Sequence, residues 1–300
     1  MTTILSGAPA APAYPHSVDL EALESRFEVL IDELSSQPFS AAALSTALAG
    51  GVSDAAAILR AIPIQEGRLL ERGIGIIADL NPDLVVLTQN LRLPVTKTAL
   101  ELVEKNDPKH FRSLTLDADT GGRKTYTPDL IVVNRKTKLA HVIDVKRSLG
   151  SYEVSRINEL KSRMLAAALV VPDLLYRDHH RLVAEEVRVV ILNAENQRSD
   201  IAGGVWPLSD LDHLVEVGGA GKAIGMLRER FHGRIDENWK LARNSIAGPE
   251  EPGRRGASAD IAEANGNETC DAGSITEVHQ PAGRGQIRVG FARIPRAGTG

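Results

Sequence analysis

The sequence predicts an α/β protein, with a mixed sheet flanked by helices and helical additions on its N- and C-terminal sides. Three observations lead there. Strand-length apolar runs (DLVVLTQNLRL, DLIVVN, LAHVIDV and EVRVVIL) fall between residues 83 and 192. Segments with helical apolar spacing separate and flank them. Aromatic residues are only 4% of a chain that is 43% hydrophobic, so the core is aliphatic.

Residues 1–16 are small and proline-rich and read as a flexible leader. A helix is expected from Ser17 to about Leu34, with Ser17 as N-cap and Leu20, Leu23, Phe27 and Leu30 as its apolar stripe. Phe39 to Ile62 is alanine-rich and reads as helix broken near Gly50-Gly51, which makes residues 17–62 a helical N-terminal region. The core, residues 63–195, opens with a helix from about Ile64 to Leu80. Asp83 to Leu93 reads as a strand, and LTLDADTGGRKTYTPDLIVVN holds one or two more, with Gly121-Gly122 at a turn. Leu139 to Val145 is the next strand, Tyr152 to Val170 a helix, and Glu186 to Leu192 a short apolar strand. Helices over Leu208–Val217 and Lys222–Ile246 form a helical C-terminal region, 196–247. From Gly248 on, Gly, Pro, Ala, Ser and Asn dominate and apolar periodicity ends, so 248–300 reads as a disordered tail.

A net charge of −4 gives no global signature of a nucleic-acid binder, so any such binding rests on a local basic patch. The single cysteine, Cys270, excludes an internal disulfide and a cysteine-based zinc site, and fits a reducing, cytoplasmic setting. No run approaches the roughly 18 apolar residues of a membrane span, and the first residues lack the pattern of a signal peptide.

The most informative stretch is TPDLIVVNRKTKLAHVIDVK, Thr127 to Lys146. Two apolar strands flank a basic turn, yet Asp129, Asp144 and Lys146 lie in them or at their ends. Buried charges are costly unless paired or metal-bound. Side chains alternate along a strand, so Asp144 and Lys146 share one face while Ile143 and Val145 take the other. If Asn134 pairs with Leu139, Asp129 falls opposite Asp144; a loop one residue longer or shorter separates them. Two adjacent carboxylates repel and call for a cation, and hard oxygen donors favour Mg²⁺ or Mn²⁺. On the preceding helix Ile62, Leu69, Leu70, Ile77 and Leu80 form a stripe that includes Glu66, whereas Glu71 falls on the opposite, solvent side.

This order (a helix with an acid, a strand, a strand opening with Pro-Asp, a strand ending in Asp-x-Lys, a helix, a strand) resembles the PD-(D/E)xK nuclease superfamily, the restriction-endonuclease-like fold. The matching residues are Pro128-Asp129 and Asp144-Val145-Lys146, with Glu66 as the helix acid, within about 63–195. Pro82-Asp83 and Pro172-Asp173 have no Asp-x-Lys strand to partner them. The resemblance implies a metal-dependent endonuclease that hydrolyses DNA phosphodiesters. Asp129 and Asp144 would bind the metal, with the Val145 carbonyl as a further ligand and Glu66 completing the coordination. Lys146 would orient or deprotonate the attacking water or stabilise phosphorane charge. Arg123, Lys124, Arg147 and Arg156, with Lys161 and Arg163, are candidate phosphate contacts. DNA is the expected partner, a membrane is not, and a homodimer is compatible with the reading.

Other readings of the same residues stand beside it. Asp144 and Lys146 could form a structural ion pair. The module could bind nucleic acid without cleaving it. Some relaxases resemble the same fold, and Tyr126 and Tyr152 lie close enough in sequence to serve as a strand-transfer nucleophile. His179-His180 reads as a surface loop, because adjacent side chains diverge. Gly218-Gly219-Ala220-Gly221-Lys222 lacks P-loop spacing and reads as a turn. Trp206 and Trp239 read as packing residues.

Overall fold

The computed structural model describes residues 14–88, 91–106, 124–150, 152–195, 199–247 and 287–295. In chain order its strands and helices are β1 (His16–Ser17), α1 (Leu20–Ser35), α2 (Ala41–Gly50), α3 (Val52–Ala78), β2 (Leu84–Thr88), β3 (Leu93–Val95), α4 (Lys97–Lys105), β4 (Lys124–Tyr126), β5 (Leu130–Asn134), β6 (Leu139–Lys146), α5 (Val154–Ala168), α6 (Val171–Asp178), β7 (Glu186–Asn193), β8 (Val205–Pro207), α7 (Asp212–Val215), β9 (Val217–Gly218), α8 (Ala220–Ala247) and β10 (Arg288–Phe291). The chain is mixed α/β, with a mixed sheet flanked by helices.

The sheet runs β10-β7-β6-β5-β2, with β8 also on β7. β5 lies antiparallel to both of its neighbours, β2 and β6, and β7 lies parallel to β6 after the crossover through α5 and α6. The hairpin register is Asn134↔Leu139 through Leu130↔Ile143, so the turn is Arg135–Lys138. Asn134 fastens this turn by accepting the amides of Lys136 and Thr137 on its side-chain oxygen, at 2.8 and 2.9 Å.

Strand alternation sorts the core into two layers. Leu130, Val132, Ile143 and Val145 pack with Leu69, Leu70, Ile74 and Ile77 of α3 and with Ile224 and Leu227 of α8. Ile131, Val133, Ala140 and Val142 pack with Met164 and Leu165 of α5, Leu174 of α6 and Tyr126. Helix α3 is clasped between sheet and α8: a Cβ on Gly73 would meet Leu227 Cδ2 at 2.4 Å and Ile224 Cδ1 at 2.7 Å.

Several expectations need correction. Helix α1 is capped by Asp19, whose carboxylate accepts the Glu21 and Ala22 amides, and not by Ser17, which pairs in β1 with Gly218 of β9. Of the proposed leader, residues 1–13 lie outside the described residues; Tyr14 hydrogen-bonds His213, and His16 pairs with Val217. The break at Gly51, where φ is +98°, is as expected. The boundary at 62/63 is not, because α3 runs unbroken from Val52 through Pro63 to Ala78. A separate helix, α6, follows α5, with Pro172 in its first turn, where a free amide is dispensable. The region 248–300 is not wholly an unstructured tail. Its residues Arg288–Phe291 pair parallel with Glu186–Val189 of β7, burying Val289 and Ala292. Residues 248–286 lie outside the described residues.

Candidate active site

Asp129 sits just ahead of β5. Its amide donates to the Ile143 carbonyl at 3.1 Å, and its Oδ2 accepts the Val145 amide at 2.6 Å. The ladder's last pair is Leu130↔Ile143, so Asp129 and Asp144 follow directly on it, close enough for the Asp144 charge to act on the Asp129 carboxyl. The Val145 amide bond aligns the Asp129 carboxylate along the end of β6. Val145 thus commits its N–H to Asp129, and its carbonyl is the candidate ligand named above.

Asp144 is 4% exposed. Its Oδ2 accepts the Tyr126 hydroxyl at 2.8 Å, and the Lys146 ammonium forms an ion pair with Oδ1. Among the described residues Oδ1 has no partner besides that ammonium. Burial and the Asp144 charge push the Asp129 carboxyl up to about 6, against the Val145 amide bond and Lys146, which act to lower it. Burial alone would weaken the Lys146 charge, but Asp144 and Asp129 outweigh it and hold the ammonium above its ordinary value. Burial, with the Asp144 charge and hydrogen bond, pushes the Tyr126 phenol far above its ordinary value.

The helix acid is the main correction. Glu66 is 1% exposed, but it faces α8: Arg228 Nε donates to its Oε1 at 2.6 Å, and His232 Nε2 lies 3.3 Å away. Arg228 also donates to the Ala194 carbonyl at 3.0 Å. Burial opposes ionisation of Glu66, yet the His232 and Arg228 hydrogen bonds prevail and hold its carboxyl below its ordinary value. Glu71, expected in solvent, is half-buried and feels the charges of Asp129, Asp144 and Lys146; burial and the Asp129 charge lift its carboxyl to about 7. The reason is the layering. Helix α3 packs on the Ile143/Val145 face, opposite the face that carries Asp144 and Lys146. A carboxylate at the centre of its apolar stripe therefore meets α8 or that aliphatic layer. One on its flank reaches the strand ends.

Among the candidate phosphate contacts, Lys124, Arg147 and Arg156 are exposed, and Arg123 lies outside the described residues. Lys161 pairs with Asp200 at 3.4 Å and stands over the Phe291 ring, and Arg163 pairs with Glu159 at 2.5 Å. His179 closes α6 and His180 occupies a turn with φ +52°, so the pair is a surface turn as read. In the glycine-rich segment, the Gly219 and Gly221 amides donate to the Asp212 carboxylate at 2.7 and 2.6 Å; an acid already fills the place an anion would take. Trp206 is fully buried, with its Nε1 donating to the Ile201 carbonyl at 3.2 Å.

Sequence reasoning missed Glu71, and it weighed Tyr126 only as a nucleophile. The face of β6 that bears Asp144 was readable; the layer in which α3 lies was not. Among the described residues, no three Asp, Glu, His or Cys side chains converge as a ready metal cage, and no helix is long and apolar enough to cross a membrane. What the site offers is two carboxylates that act on each other, Asp129 and Asp144, beside the Lys146 ammonium, with Glu71 within reach of their charges. This oxygen-rich set suits a hard divalent cation. No protein-family model, curated protein or solved structure matches this chain.

Proposed function

We propose that the chain is a divalent-metal-dependent DNA endonuclease that hydrolyses phosphodiester bonds at Asp129, Asp144 and Lys146. The observation that carries this reading is the end of the β5–β6 ladder at Leu130↔Ile143, with Asp129 and Asp144 next on their strands and Lys146 in an ion pair with Asp144. The order α3, β2, β5, β6, α5, β7, with three antiparallel strands and then a parallel one, supports a restriction-endonuclease-like core.

Asp129 and Asp144 would hold Mg²⁺ or Mn²⁺, with the Val145 carbonyl and Glu71 beside them. Such an ion supplies phosphate polarisation and an acidified water. The chain's own groups do the rest. The Val145 amide fixes the Asp129 carboxylate, and Tyr126 fixes that of Asp144. Lys146, paired with Asp144, would orient the attacking water, help deprotonate it, or stabilise charge on the phosphate. Glu71 replaces Glu66 as the helix acid that can take a proton or hold a water. Exposed Lys124, Arg147 and Arg156 can meet backbone phosphates.

Water is favoured over tyrosine as nucleophile. The Tyr126 hydroxyl is committed to Asp144, and its environment opposes the phenolate that strand transfer needs. The test is cleavage of end-labelled DNA followed by a denaturing gel. Free DNA ends, with activity retained in Tyr152→Phe, are expected. A protein–DNA adduct that vanishes in Tyr126→Phe or Tyr152→Phe would establish the relaxase-like alternative instead.

A further inference from the structure

Tyr126 reaches Asp144 from outside the main sheet. It ends β4, which pairs with β3 through Leu93↔Tyr126 in a separate antiparallel ribbon. The residue is 6% exposed and belongs to the apolar layer of Leu93, Leu149 and Met164, so its ring has little freedom to swing. Its hydroxyl donates to Asp144 Oδ2 at 2.8 Å. Among the described residues, Oδ1 carries only the Lys146 ion pair. The two oxygens are therefore held by unlike partners. A flexible ammonium on a four-carbon stem can withdraw or share its oxygen; a packed phenol cannot.

From this asymmetry we propose that Tyr126 is a positioning residue that restricts Asp144 to ligation through one oxygen, and so biases the cluster toward Mg²⁺ over Ca²⁺. The inference rests on the metal-site reading above. Mg²⁺ demands near-octahedral geometry at about 2.0–2.1 Å and is served by single carboxylate oxygens and waters, whereas Ca²⁺ takes about 6–8 oxygens and readily accepts both oxygens of one carboxylate. A hydroxyl fixed on Oδ2 leaves the first kind of ligation open and obstructs the second. Losing it frees Asp144 to chelate or to turn.

The experiment is calorimetric titration of the full-length apo protein with MgCl₂ or CaCl₂, without DNA, for wild type, Tyr126→Phe and Tyr152→Phe. Tyr126→Phe is expected to raise the ratio of Ca²⁺ to Mg²⁺ affinity by about tenfold, the scale on which groups supporting a ligand alter metal affinity. Tyr152→Phe is expected to leave the ratio unchanged. An unchanged ratio in folded Tyr126→Phe overturns the role of Tyr126 while the metal site stands. Wild type binding neither ion overturns the metal site, and this role with it. A second measurement needs no variant. Infrared difference spectra of wild type carrying ¹³C at its aspartate carboxyls are expected to show, on adding Mg²⁺, the wide stretch splitting of single-oxygen ligation. The narrow splitting of chelating carboxylates would overturn the proposal.

Discussion

Arg228 Nε donates to Glu66 Oε1 at 2.6 Å across the packed helices α3 and α8, and this ion pair holds the Glu66 carboxylate apart from the cluster that Glu71 joins. Two glutamates on one helix thus have different work. Glu66 neutralises a cation at a helix interface, while Glu71 shares the field of Asp129, Asp144 and Lys146.

Exchanging each for its amide separates them. Glu66→Gln leaves Arg228 without a counter-charge, so it is expected to cost stability, about 3 kcal/mol at the scale of a broken buried pair. Its effect on the chemistry is expected to be small once the variant is folded. Glu71→Gln relieves repulsion with Asp129 and is expected to keep or raise the melting temperature while lowering Mg²⁺ affinity and cleavage. Denaturant unfolding and cleavage assays on both variants check this; a stable, inactive Glu66→Gln beside a fully active Glu71→Gln contradicts the assignment.

The raised acids give a pH signature. Glu71 is lifted to about 7 from 4.5, and Asp129 to about 6 from 3.8, so each binds its proton more tightly folded than unfolded. Without divalent cation, their contribution to stability is greatest below the ordinary values and is lost as pH rises through the folded ones. His141, buried and held down to about 3 from 6.5, works in the opposite direction, gaining stability as pH rises across that interval. The difference between wild type and Glu71→Gln isolates the Glu71 part. From about pH 5 to pH 8, wild type is expected to lose stability relative to the variant, and saturating Mg²⁺ is expected to abolish that slope. A pH-independent difference contradicts the placement of Glu71.

The C-terminal strand makes a separate demand. β10 pairs with the first half of the outer edge of β7, with Val289 buried and Phe291 packed beside Lys161. A chain ending at Ala247 is expected to lose about 2–4 kcal/mol, the scale of exposing one or two large apolar side chains, and to present an open strand edge. Val289→Asp in the full chain is expected to show the same direction of change. Unfolding of both variants measures it, and wild-type stability in both contradicts a structural role for β10.

Much of the site was legible because strand alternation and hairpin register are local. Asn134↔Leu139 was one of the pairings the turn allowed, and the ladder it starts ends at Leu130↔Ile143, with Asp129 and Asp144 next on their strands. The helix acid was not legible, because α3 buries its apolar stripe against both the sheet and α8, so an inward carboxylate need not face the chemistry. Its partner Arg228 is far along the chain, and nothing near Glu66 announces it. Tyr126 was visible as a neighbour of Asp129 in sequence, but its bond to Asp144 depends on how the β3–β4 ribbon folds over the sheet. β10 was hidden by composition: Arg288-Val289-Gly290-Phe291 is short and half polar, and its pairing partner supplies the order.

Asp144→Asn gives the most direct test of the cluster itself. The amide oxygen can still accept from Tyr126, so the fold is expected to persist, while the charge that faces Lys146 and the metal is gone. Supercoiled plasmid incubated with wild type and Mg²⁺ is expected to be nicked or linearised, with no cleavage when the metal is chelated. Asp144→Asn is expected to cleave at least about 100-fold more slowly, the scale of losing one preorganised charge. Cleavage by folded Asp144→Asn at the wild-type rate, or none by wild type with either Mg²⁺ or Mn²⁺, would contradict a nuclease centred on Asp144.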